Sequence, residues 1–132
     1  MNRHTMLVRA SLLSVLLLMF HFTDDILREG GIAVNGTADL IAIPILAFLL
    51  FGPLLLAERR SGYIIMLIAS LGAMGMPVLH MSLAKHVIAI ELARPRGDFF
   101  FVWTLLALGV LGLLTFILSV RGLWKRDWEQ PR

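Results

Sequence analysis

Hydrophobic residues fall along the chain in four sparsely charged stretches, each close to the about 20 residues that an α-helix needs to cross the hydrocarbon of a bilayer. The pattern predicts helices over residues 5–27, 38–57, 63–82 and 99–120, joined by short polar turns. Gly30 and Gly31 close the first helix, Asn35 or Thr37 caps the second, and Pro95 and Gly97 interrupt the chain before the fourth, which Asp98 is suited to cap. Adding residues 83–93 to the third helix would make it far longer than a membrane requires, so this stretch is expected to bend onto the outer surface. The expected fold is an all-α integral membrane protein: a four-transmembrane-helix bundle with a short amphipathic outer segment between helices 3 and 4, residues 1–132 forming a single transmembrane domain.

Within the stretches, smaller patterns qualify that picture. Ala69, Gly72, Ala73 and Met76 lie on one stripe of the third helix, and Gly109 and Gly112 are three apart on the fourth. In lipid, where apolar side chains gain little from one another, such small residues mark close helix contacts. Pro44, Pro53 and Pro77 each remove a backbone donor and predict kinks one turn upstream. The first stretch follows Arg3 and Arg9 but ends in His21-Phe22-Thr23-Asp24-Asp25 without a small-x-small cleavage pattern, so it is read as a retained helix.

Composition supports lipid as part of the solvent. Of 132 residues, 58% are hydrophobic and 16% charged, with a mean hydropathy of +0.84, and a soluble domain of this size cannot bury so much apolar surface. There is no cysteine, which excludes disulfides, thiolate metal sites and cysteine nucleophiles. The net charge of +3 does not form a basic cluster facing one way, so no nucleic-acid partner is expected. Basic residues serve topology instead: Arg3, Arg9, Arg59, Arg60, Arg121, Lys125, Arg126 and Arg132 flank one side, against Arg28, Lys85, Arg94 and Arg96 on the other. The positive-inside rule then sets the N- and C-termini in the cytoplasm. Arginine outnumbers lysine ten to two, a bias of GC-rich bacterial genomes, and the predicted location is a bacterial inner membrane. Trp124 and Trp128 are expected to anchor the tail at the inner interface.

Candidate chemistry is confined to one cluster. His21, Asp24, Asp25 and Arg28 share a face of the first helix, and Ser11 and Ser14 extend it inward. Polar groups turned to lipid are costly, so the stripe is expected to face the bundle. The two carboxylates lie near a helix C-terminus, where the dipole disfavours negative charge, and call for compensation by Arg28, a protonated histidine or a bound cation. His80 continues the third helix's small-residue stripe and is expected to approach the cluster. This arrangement fits hydrogen-bonded packing of helices. It also leaves open a zinc or iron site built from His21, Asp24, Asp25 and His80, or a haem held between His21 and His80. His4 is read as an exposed tail residue, His86 and Glu91 as solvated, and Asp39 as a helix-start residue.

No Walker loop, Gly-x-Ser-x-Gly elbow or His-Glu-x-x-His is present. The functional expectation is an accessory or structural subunit that packs against another membrane protein subunit or against copies of itself. Two alternatives remain: a metal- or haem-dependent oxidoreductase or hydrolase using the His/Asp cluster, and transport of protons or small cations. The last lacks ionisable stepping stones in the inner half of the helices.

Overall fold

The computed structural model describes residues 3–28, 37–83 and 99–126. They form four α-helices: α1 Arg3–Arg28, α2 Thr37–Leu55, α3 Arg60–Leu83 and α4 Phe99–Lys125. No strand occurs among the described residues. Three helices are long and apolar enough to cross a membrane, over Arg3–Asp24, Arg60–Leu79 and Phe101–Lys125, and α2 contributes a shorter apolar run, Ile43–Leu55. The predicted segment over 83–93 lies outside the described residues except for Leu83, the last residue of α3. So do the turn signals at Gly30, Gly31, Asn35, Pro95, Gly97 and Asp98, the residues His86 and Glu91, and Trp128.

Most helix limits lie within one or two residues of the sequence pattern, and the two that differ most do so for packing reasons. The third helix begins at Arg60 rather than 63, because the chain reverses tightly after Leu55. Leu56 N–H donates to Gly52 O at 3.2 Å, Arg59 N–H to Leu56 O at 2.9 Å and Tyr63 N–H to Arg59 O at 3.3 Å. A Cβ on Gly62 would collide with the Leu56 carbonyl, so only glycine lets α3 start so close to the end of α2. The fourth helix continues past residue 120 to Lys125. Its extra turn is held because Leu118 and Leu123 pack on the buried cluster of Leu7, Tyr63 and Met66. Arg126 then ends the helix at φ 52°, the left-handed position usually filled by glycine.

Helix neighbours follow chain order around a ring. The α3–α4 contact is the most extensive, then α1–α4; α2 touches α3 and α1 more sparingly, and α1 faces α3 across a diagonal. Neighbours run antiparallel: Tyr63 lies at Gly122, Ala73 and Met74 at Gly112, and Pro77 at Gly109. The start of α1, the 56–59 turn and the end of α4 therefore share one end of the bundle, called here the terminal end. Helices α2 and α3 run on through Pro44, Pro53 and Pro77. At the centre, Val15, Leu18, Leu49, Ala69, Ala73 and Leu108 meet from all four helices.

Much of the exterior is apolar. Val110, Leu55, Leu54, Val78 and Ile43 are each at least 60% exposed, and all four helices carry exposed leucine, isoleucine, valine or phenylalanine side chains. Scattered apolar residues are normal on a water-soluble surface, but a continuous belt around a bundle is not.

Candidate functional site

Inside this apolar shell the polar side chains gather where α1 meets α4. Ser11, Ser14 and His21 on α1 are buried, as are Thr104, Thr115 and Ser119 on α4, together with Ser70 on α3. The α1 residues recur at helical spacing on the face expected to turn inward. Ser14 Oγ donates to Ala10 O at 2.8 Å. Having spent its one proton there, it accepts from Thr115 Oγ1 at 3.4 Å across the seam. Thr104 donates to Phe101 O at 2.9 Å and Ser70 to Leu67 O at 2.6 Å, so these hydroxyls, like that of Ser14, return their protons to their own helix. Ser11 Oγ and Ser119 Oγ are buried without a hydrogen bond to protein atoms. The antiparallel register sets them one turn beyond the Ser14–Thr115 contact, toward the terminal end.

His21 is fully buried at the other end of the seam. Its ring lies against Phe101 of α4, with centroids 5.1 Å apart and planes tilted by 33°, and beside Phe22 at 6.5 Å. Asp24, one turn further, is half-buried. The side chains of Asp25, Arg28 and His80 lie outside the described residues. Among the described residues no three of histidine, aspartate and glutamate converge on a common point. The expected closeness of the first and third helices has a geometric bearing: α1 and α3 are diagonal, and the element beside His21 is α4.

The terminal end holds a second group that the sequence pattern missed. His4 is not an exposed tail residue. It is half-buried in the first turn of α1, and its Nε2 hydrogen-bonds Ala57 O at 2.8 Å. A carbonyl only accepts, so Nε2 is the donor in this bond. The ring lies 6.2 Å from that of Tyr63, tilted by 46°, and Tyr63 is itself buried against Gly122. Arg3 and Arg121 join His4 and Tyr63 around a cleft of about 200 Å³ between α1 and α4. The only available signal was Tyr63, the single tyrosine, one turn into α3 and level with the start of α1.

The geometry thus defines an all-helical four-helix bundle with an apolar outer surface, an internal seam of hydroxyls and one imidazole, and a basic cleft at the terminal end. No protein-family model, curated protein or solved structure matches the chain.

Proposed function

We propose that all four helices cross the bilayer of a bacterial inner membrane with both termini cytoplasmic, and that the protein is an accessory or structural subunit that packs a further transmembrane helix against α3. One observation carries the subunit role. A Cβ added at Gly72 or at Gly75 would meet nothing within 4 Å, and Gly72 is exposed between the outward side chains of Ile68, Leu71 and Leu79. Helices in lipid associate by close backbone approach, so an open glycine notch between large apolar side chains is where a neighbouring helix gains most contact. The apolar belt supports the membrane location. The common end shared by the start of α1 and the end of α4 suits two termini on one side, and the eight basic flanking residues against four direct that side inward.

Purification from native membranes in mild detergent tests this reading. The chain is expected to migrate in an assembly larger than a monomer, and Gly72→Leu to release it as a monomer of unchanged helicity. Stoichiometry by mass spectrometry then distinguishes a second copy from a different subunit. A wild-type chain that is strictly monomeric in mild detergent and in nanodiscs overturns the subunit role.

A further inference from the structure

The cleft at the terminal end has a charge pattern that the subunit role does not use. Arg3 and Arg121 line it, and among the described residues no carboxylate does. Both guanidinium-bearing side chains are exposed and make no ion pair among the described residues, whereas the broader cleft on the other side of His4 contains Glu58 together with Arg9 and Arg59. Its remaining lining is mostly apolar, Leu7 and Leu118 among it, with the rings of His4 and Tyr63. Antiparallel register sets Arg121 deeper along the bundle than Arg3, so its long side chain must rise toward the polar boundary to share the cleft. Two guanidinium-bearing side chains lining an apolar groove match a phosphate ester carrying a hydrocarbon tail. Guanidinium binds phosphate oxygens in a bidentate way that ammonium does not. At about 200 Å³ the cleft is smaller than the roughly 300–1,000 Å³ of pockets that enclose whole small molecules. It suits a headgroup whose tail remains outside on the helix surface.

We propose that this cleft binds the phosphate of an anionic phospholipid, held between Arg3 and Arg121, with the start of its acyl chains against Leu7 and Leu118. The inference rests on the reading that the chain spans a bilayer. Extraction of the protein from membranes by alkaline carbonate would sink that reading, whereas the lipid measurements below sink only this one.

The full chain in nanodiscs containing either phosphatidylglycerol or phosphatidylcholine, followed by native mass spectrometry, provides the test. One phosphatidylglycerol is expected to stay with each chain, and phosphatidylcholine is not. The double variant Arg3→Gln/Arg121→Gln should weaken retention about 100-fold or more, the loss of two charge-assisted guanidinium–phosphate contacts. Arg3→Lys/Arg121→Lys should fall between it and wild type, because charge remains and the bidentate geometry does not. Arg60→Gln/Lys125→Gln removes the same charge from the same end, outside the cleft, and should weaken retention far less, by general surface attraction alone. Unchanged circular dichroism is the folding control, since all four side chains are exposed. Equal retention of phosphatidylcholine, or equal weakening by the Arg60/Lys125 pair, would replace a site by general surface attraction. Displacement of the lipid by an equal concentration of inorganic phosphate would assign the cleft to soluble phosphate and overturn the lipid.

Discussion

Gly109 with Gly112 on α4 and Gly72 with Gly75 on α3 are glycine pairs of the same spacing in helices of similar composition, and the fold uses them in opposite ways. At Gly112 a Cβ would lie 2.9 Å from the Met74 backbone nitrogen and 3.0 Å from the Ala73 Cβ; at Gly109 it would lie 3.1 Å from the Pro77 ring. These glycines set how closely α3 and α4 approach in the most extensive helix pair of the bundle. At Gly72 and Gly75 the same added atom meets open space. A small-residue pair therefore marks a surface that permits close approach, without specifying whether the approaching helix belongs to the same chain. The α3 stripe divides accordingly: Ala69 and Ala73 are buried in the central core, while Gly72 is exposed.

Substitutions that add volume should separate the two pairs most sharply. Gly112→Leu drives a branched side chain into backbone that cannot rotate away, so α3 and α4 must part. The expected cost is about 3 kcal/mol or more, the upper end for overpacking, read as loss of cooperative thermal unfolding in detergent. A leucine tolerated there without loss would show that this close approach does not hold α3 to α4. The terminal end of the α3–α4 contact gives the next largest effect. Gly122→Ala meets the ring of Tyr63, which is buried and cannot swing out, and should cost about 2 kcal/mol. Restoration by the double variant Gly122→Ala/Tyr63→Leu would tie that cost to the ring.

The sign should reverse on the outward pair. Gly72→Ala adds a methyl group into open space and gives the helix a better former, so the isolated chain should gain about 0.5–1 kcal/mol. A loss of monomer stability would show that Gly72 is covered within the chain. The smallest effect belongs to the polar seam between α1 and α4. Ser14→Ala removes the 3.4 Å contact with Thr115 and should cost about 0.6 kcal/mol, the mean for hydrogen bonds between helices in a membrane. A cost as large as that at Gly122 would mean that hydroxyls rather than glycines hold the bundle together.

The four apolar runs and their approximate limits were determined by the sequence alone, since a helix's length and its partition into an apolar medium are properties of one segment. The inward direction of Ser11, Ser14 and His21 was also legible, because the cost of turning a hydroxyl or imidazole to lipid does not depend on which helix lies opposite. What lies opposite was decided by tertiary structure. Phe101 beside His21, Thr115 beside Ser14 and Ala57 O beside His4 depend on the order of helices around the ring and on their rotation and register, which no single helix encodes. His4 was misread because a histidine four residues from the start of a chain has no pattern to mark it. It becomes part of the first turn only because α1 and the 56–59 turn meet there. The division of the glycines has the same origin: a glycine specifies that a neighbour can come close, and the packing of all four helices selects which glycines receive one.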